Sequence, residues 1–383
     1  MPSSSDSISH PALDFVKDDR MHRELTLPAT ATHKALNVSY ADVGRLPGDS
    51  RAGSVVDHPT ILLIPGMFAS RFLALTLHAI AEKLGVRVLI VDRPGMGLST
   101  NVPLGQRIPI WVDLVPYLLQ HLGIKHVSLV SHSAGTTFLL NTLQDCRNVL
   151  HPDRPFVALL APWVDPEHSK NTAMQAARLI PAGAFGVWNL LPKARPVFAT
   201  SGNFFTGLSN AVFGPSSQGD EQTKNSSRLE ADYGVPRQVQ SRLGDLVFKS
   251  TFAENTVGAN SEALLCLKKG PEATWGACQN YDVYFKRLHE NEKQRSASVG
   301  SDQTRAKLRI RAYFAESDAM IGKKGNVYLT DCIKGGSEVL ASDAIDFEAS
   351  TIIGTDHDTL LGRIDVLEEI FVQAGGHLPE SVA

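Results

Sequence analysis

Cysteine is scarce and scattered: Cys146, Cys266, Cys278 and Cys332 are the only four in 383 residues, and no two of them form a C-x-x-C pair. Neither a zinc site nor a disulfide framework is indicated, and reduced, mostly buried thiols are expected. Long apolar runs are also missing. None approaches the roughly 20 residues that cross a bilayer, so no membrane span is expected. The formal net charge is -3, and no Lys/Arg-rich cluster is interleaved with aromatics, so nucleic acid is excluded as an expected partner. The stretch from Met1 to Arg20 lacks the apolar h-region of a secretory signal, and Pro379-Glu380-Ser381-Val382-Ala383 matches no lipidation or peroxisomal signal. The expected location is therefore cytoplasmic. Without export, the sequons at Asn37-Val38-Ser39 and Asn225-Ser226-Ser227 read as chance matches.

What is present is ordinary globular material: 43% hydrophobic and 20% charged residues, enough for a sizeable core. Short apolar runs alternate with helical patterns through the first half, which predicts an α/β fold with a mainly parallel sheet flanked by helices. Strands are expected at Thr60 to Ile64, Arg87 to Val91, His126 to Ser131 and Phe156 to Ala161. Helices are expected at Ser70 to Leu84, about Ile108 to Leu122, and after Ser133. From Trp163 to about Arg305 the alternation lapses into a largely helical pattern, with polar breaks at Pro215 to Arg228 and Asn291 to Arg305 that read as surface loops. Strands resume at Lys307 to Ala315 and Asp346 to Ile353, around a helix at Gly325 to Lys334. Thr359 to Ala374 closes the pattern as a helix. The expected organisation is a flexible segment at 1–22, a core at 23–162, an inserted cap or lid at 163–305, and the rest of the core at 306–383.

The stretch from Val127 to Leu140 carries the chemistry. An apolar strand breaks into a helix across Ser131-His132-Ser133-Ala134-Gly135, a small-x-Ser-x-Gly turn that reads as a nucleophile elbow. A serine hydroxyl is a poor nucleophile at neutral pH and needs an adjacent base and nearby backbone donors, which a tight strand-to-helix turn places together. The backbone strain at the serine is tolerable only where its flanks are small, as Ser131 and Gly135 are. A general base needs an acid that fixes its tautomer. His357 follows the last expected strand and Asp318 the one before it, with Glu316 as the alternate acid and Asp356 a weaker one. His132, His126 and His121 lie away from the last strand and read as ordinary histidines. Asp92 is expected to brace its Pro-Gly loop. Trp163, Trp188, Trp275 and Phe204/Phe205 of the insert are expected cap core, some of it lining a pocket.

The order Ser, Asp, His and the loop Asp92-Arg93-Pro94-Gly95-Met96-Gly97-Leu98-Ser99 resemble the α/β-hydrolase superfamily, serine-nucleophile branch with an inserted cap. The likeness covers nearly everything beyond residue 35. It implies the α/β-hydrolase fold, with the cap inserted after the strand that follows the elbow helix. It also implies a catalytic set of Ser133, Asp318 and His357, and an oxyanion hole from the backbone N–H groups of Met67 and Ala134. One such donor is worth roughly 3 kcal/mol of transition-state stabilisation. Two departures stand out: Ser131 replaces the first small glycine of the elbow, and the usual His-Gly at the end of the first of these parallel strands is Pro65-Gly66. The implied activity is that of a serine esterase acting on a medium-sized apolar organic molecule through an acyl-enzyme, with no cofactor and no metal. Thioesterase or acyltransferase, carbon–carbon hydrolase, and lyase or cyclase chemistry are alternatives on the same fold. A ligand-binding protein that does no chemistry is another. Nothing in the sequence indicates the oligomeric state.

Overall fold

The computed structural model describes residues 10–46, 58–190, 219–297, 306–335 and 344–378. Eight strands form one sheet: β1 (Arg23–Leu27), β2 (Leu36–Gly44), β3 (Thr60–Ile64), β4 (Arg87–Val91), β5 (Ser128–His132), β6 (Phe156–Leu160), β7 (Leu308–Ser317) and β8 (Ile345–Asp356). Their order across the sheet is β1-β2-β4-β3-β5-β6-β7-β8. The pairs β1–β2 and β2–β4 are antiparallel, and every pair from β4 to β8 is parallel. In β3, β4, β5 and β6 every residue is buried, because helices cover both faces; such strands read as continuous Val/Ile/Leu runs without alternation.

The crossovers run through α1 (Ala74–Lys83), α2 (Arg107–His121) and α3 (Gly135–Asp145). Between β6 and β7 the described chain is helical: α4 (Thr172–Ala177), a 3₁₀ stretch at Ala182–Leu190, α5 (Gly219–Tyr233), α6 (Arg237–Ala253), α7 (Gly258–Cys266) and α8 (Tyr281–Ala297). This is a cap inserted after the strand that follows the elbow helix. Its last helix leans on the core: the Tyr284 hydroxyl donates to the Leu140 carbonyl of α3 at 2.7 Å, and Phe285 and Leu288 join the main core cluster. After β7 come α9 (Gly322–Lys334), β8 and α10 (Ile364–Gln373). The last of these buries Ile364, Leu367, Ile370 and Phe371, each contributing about 1.5–3 kcal/mol by removal from water.

Several elements differ from expectation. β1 and β2 are absent from the sequence reading. In β2 the polar residues Ser39 and Asp42 are buried, which erases the apolar signal; Asp42 is paired with Arg87 at 2.7 Å, and Ser39 donates to Asp92 at 2.6 Å. The segment 1–22 is not loose throughout. Residues 10–22 form helical turns with Phe15 and Met21 buried, and the Phe15 ring stacks on His78 at 3.9 Å, while residues 1–9 lie outside the described set.

The two polar breaks are also corrected, since residues 219–228 lie in α5 and 291–297 in α8. α5 has no fully buried residue; Leu229 and Tyr233 pack partly buried against the core, and polar contacts add to this, with Arg228 paired to Glu368 at 2.6 Å and Asn225 donating to the Gly362 carbonyl at 2.9 Å. In α8, Glu292 is drawn inward by Arg147 at 2.7 Å. The remaining parts of both breaks, 215–218 and 298–305, lie outside the described residues. The closing helix is interrupted at Arg363, between a 3₁₀ turn at Thr359–Gly362 and α10.

Candidate active site

β5 ends at His132, and α3 begins at Gly135, leaving Ser133 to turn the chain with φ +51°, a left-handed conformation that side chains disfavour. Neighbouring backbone holds it there. Ser133 N donates to the Leu160 carbonyl at 3.0 Å, and the Ser133 carbonyl accepts from Thr136 N at 2.9 Å and Trp163 N at 3.3 Å. Gly135 lets α3 sit directly against β3, since a Cβ there would overlap the Ile64 carbonyl oxygen. Gly135→Ala is accordingly expected to destabilise the fold by about 1–3 kcal/mol, the range for overpacking, read as a lower denaturant midpoint with an unchanged m-value. Ser131, where the resemblance would have glycine, is fully buried, and its hydroxyl has no partner among the described residues.

The three residues expected to act together lie 185 and 39 positions apart in the chain and meet at the carboxyl ends of β5, β7 and β8. His357 Nε2 is 2.7 Å from Ser133 Oγ, and His357 Nδ1 is 2.8 Å from Asp318 Oδ2. The other carboxylate oxygen of Asp318 accepts from Met320 N and Ile321 N, both at 2.8 Å, which fixes the carboxylate in place. All three side chains are buried. Burial alone would push the His357 pKa down, but the adjacent Asp318 carboxylate outweighs it and raises it to about 9. Burial likewise works to raise Asp318, and the His357 contact with the two backbone N–H groups brings it below its ordinary value.

The alternate acids are engaged elsewhere. Glu316 accepts from Gly354 N at 2.9 Å, and Asp356 caps its own turn by accepting from Thr359 N at 2.8 Å. Asp92 braces its loop, accepting from Arg71 N and Arg71 Nη1, each at 2.6 Å.

His132, read from the sequence as an ordinary histidine, touches His357. Its Nε2–H donates to the His357 carbonyl at 2.7 Å, which assigns the tautomer because a carbonyl can only accept. Burial, aided by the nearby His357, lowers its pKa to about 3, so it stays neutral while His357 titrates. Its position beside the serine is the only sequence signal that pointed to it. His132, His357 and Asp358 bring potential ligand atoms within 4.8 Å of one another. Both ring nitrogens of His357 are already engaged, one with Ser133 Oγ and the other with Asp318 Oδ2.

Ala134 follows the serine in the chain, and Met67 lines the same pocket. Among the described residues neither backbone N–H donates a hydrogen bond within the protein. Gly66 packs against the elbow so closely that a Cβ there would lie 2.9 Å from His132 Nδ1 and 3.2 Å from Ser133 Cβ. Above Ser133 lies a pocket whose walls are mostly apolar, including Phe68, Trp163, Met174, Phe185, Trp188 and Leu267. Trp163 and Trp188 thus line it, whereas Trp275 is packed in the core; Phe204 and Phe205 lie outside the described residues.

Residues 61–265 match the alpha/beta hydrolase family, more than half of the chain, and the protein belongs to that family. No curated protein matches it. Among solved structures, a haloalkane dehalogenase from Paraglaciecola agarilytica NO2 aligns at 16% identity with a TM-score of 0.51, over 91% of each chain. The enol-lactonase of Burkholderia xenovorans LB400 aligns at 14% identity and a TM-score of 0.49, over 88% of this chain and 96% of its own. A structure from a study of carboxylesterases of the thaumarchaeon Nitrososphaera gargenis aligns at 12% identity and 0.48, over 91% and 95%. At these identities the likeness concerns the fold. Among the described residues no helix is long and apolar enough to cross a membrane.

Proposed function

We propose that the protein is a serine hydrolase that cleaves an ester-type bond in a medium-sized apolar molecule through an acyl-enzyme on Ser133. The observation that carries this reading is the continuous contact from Ser133 Oγ through His357 to Asp318, at 2.7 and 2.8 Å, opening onto an apolar pocket. In the proposed cycle Ser133 Oγ attacks the substrate carbonyl while its proton passes to His357 Nε2, and Asp318 stabilises the imidazolium. The negative oxygen that develops is taken up by the Met67 and Ala134 N–H groups. His357 then gives its proton to the departing alcohol. In the second half, His357 takes a proton from water, the hydroxide attacks the acyl carbonyl, and the acid leaves as the proton returns to Ser133 Oγ. No step calls on a metal or an organic cofactor. An aspartate at position 133 would have suited attack on carbon by a carboxylate, as in dehalogenation; a serine with its own base suits acyl transfer.

The substrate class follows from the walls. Among the described residues lining the pocket there is no Lys or Arg and one carboxylate, Asp358, so an anionic acyl or alcohol portion is disfavoured. The cap of this reading spans 163–305, between core parts 23–162 and 306–383. Its portion up to α7 roofs the site through Trp163, Phe185, Trp188 and Leu267. Four free, buried cysteines suit the cytosol, which we retain as the location within this proposal. With p-nitrophenyl esters of graded acyl length, kcat/KM is expected to climb from acetate to a medium chain and then fall. A flat profile would contradict a pocket shaped by the cap. Absence of hydrolysis across the series, with no fluorophosphonate label on Ser133, would favour a binding protein.

A further inference from the structure

Arg93 and Glu262 are 169 residues apart and fully buried together. Arg93 lies just beyond β4, and Glu262 on α7 of the inserted cap. The pair is a two-pronged fork: Arg93 Nε to Glu262 Oε1 at 2.6 Å and Arg93 Nη2 to Oε2 at 2.8 Å. The remaining edge of the guanidinium faces the loop after β3. Arg93 Nη1 donates to the Pro65 carbonyl at 2.6 Å, and Nη2 to the Gly66 carbonyl at 2.8 Å. Arg107 closes the cluster, donating to Glu262 Oε1 at 2.9 Å and to the Pro94 carbonyl at 2.7 Å. Burying three charges is expensive for a fold, and a cluster so nearly complete in its hydrogen bonds calls for an account of what it holds.

What it holds are two consecutive carbonyls, of which the second, that of Gly66, also accepts from Ala69 N at 3.3 Å. The Gly66 carbonyl and the Met67 N–H belong to the same planar group, and none of the described peptide bonds is cis. In a trans peptide the two point in opposite directions. Aiming the carbonyl at Arg93 therefore turns the Met67 N–H away from Arg93. The loop that carries it is pressed against Ser133 through Gly66.

We propose that Arg93 is the positioning residue that sets the Gly66–Met67 peptide with its N–H free for an oxyanion, and that Glu262 of the cap holds Arg93 in that pose. The pair supplies from the cap the bracing that the absent histidine of the strand-end motif would have been expected to influence. The pocket-lining residues Ala263 and Cys266 sit on the same helix as Glu262, so contact with substrate and alignment of the donor share one element.

The proposal rests on the serine-hydrolase reading, and its test separates the two. Full-length wild type, Arg93→Lys and Glu262→Gln are each reacted with a fluorophosphonate probe, and turnover of a p-nitrophenyl ester is normalised to the fraction of sites finally labelled, which counts folded enzyme. Lysine keeps the charge but cannot fork to Glu262 and reach both carbonyls. Per labelled site, kcat and the labelling rate are expected to fall about 10- to 100-fold in both variants, a fraction of what losing a whole oxyanion donor does, with KM within threefold. Binding of phenylboronic acid, which forms a tetrahedral adduct with the serine, is expected to weaken in proportion to kcat. A purely structural role would lower the labelled fraction and the melting temperature and leave turnover per site unchanged; that result overturns the proposal. Should Glu262→Gln fail to fold, Arg93→Lys alone decides. A wild type that takes no label at Ser133 removes the hydrolase reading, whereas a labelled wild type with variants of equal rate removes only this inference.

Discussion

Ser133→Ala is expected to lower kcat for the best p-nitrophenyl ester by roughly 10⁶-fold, the loss seen when the nucleophile of a serine–histidine–acid set is removed. The folded state should survive, because alanine at φ +51° meets the same backbone constraint as serine and the contacts through its N–H and carbonyl remain. Only the hydroxyl that His357 Nε2 reaches at 2.7 Å disappears. Residual rate over water, on the order of 10³-fold, would come from the oxyanion donors and substrate binding. Steady-state kinetics on protein shown to be folded by circular dichroism provide the check. Turnover within tenfold of wild type would mean that His357 works as an acid or base on the substrate directly, which is the lyase or cyclase alternative.

The second large effect concerns the acid. Asp318→Asn is expected to lower kcat by about 10⁴-fold, because an amide can present its N–H to Nδ1 and favour the wrong tautomer, and it cannot stabilise the imidazolium. The pH dependence should move as well. His357 must be unprotonated to accept the serine proton, and its pKa is raised from the ordinary 6.5 to about 9 by Asp318 against the opposing effect of burial. In the wild type, kcat/KM should therefore rise with pH from neutral into the alkaline range as the imidazolium loses its proton. Without the carboxylate, burial is left to act and the midpoint should shift downward. A pH–rate profile for Asp318→Asn with the wild-type midpoint would show that the carboxylate does not set the titration of His357.

β3, β4 and β6 were legible because each is a five-residue, almost wholly apolar run, followed by Pro65-Gly66 in the first case and by Pro94-Gly95 shortly after the second. β2 was hidden by the chemistry that stabilises it: buried Asp42 and Ser39 look like loop residues until Arg87 and Asp92 are seen beside them. α5 was misread for a related reason, since a helix with no fully buried residue has little apolar periodicity, and its partners Glu368 and Gly362 lie more than 130 positions away. In the site, Ser133 stood out by its elbow and His357 and Asp318 by their places after two strands, with Glu316 left open as the alternate acid; the three side chains lie in contact. His132 did not stand out, because its bond is to a main-chain carbonyl 225 residues on. The Arg93–Glu262 fork left no trace either, for a single buried glutamate on a mixed helix carries no local pattern.

The account depends on an ester bond forming between substrate and one hydroxyl. The most direct test is to quench the enzyme during turnover of a slowly deacylated p-nitrophenyl ester and measure the intact mass, followed by peptide mapping. The prediction is a gain equal to the acyl group, located on Ser133, with one equivalent of p-nitrophenol released in the burst. Steady turnover with no acylated protein, or an adduct on any other residue, would contradict it.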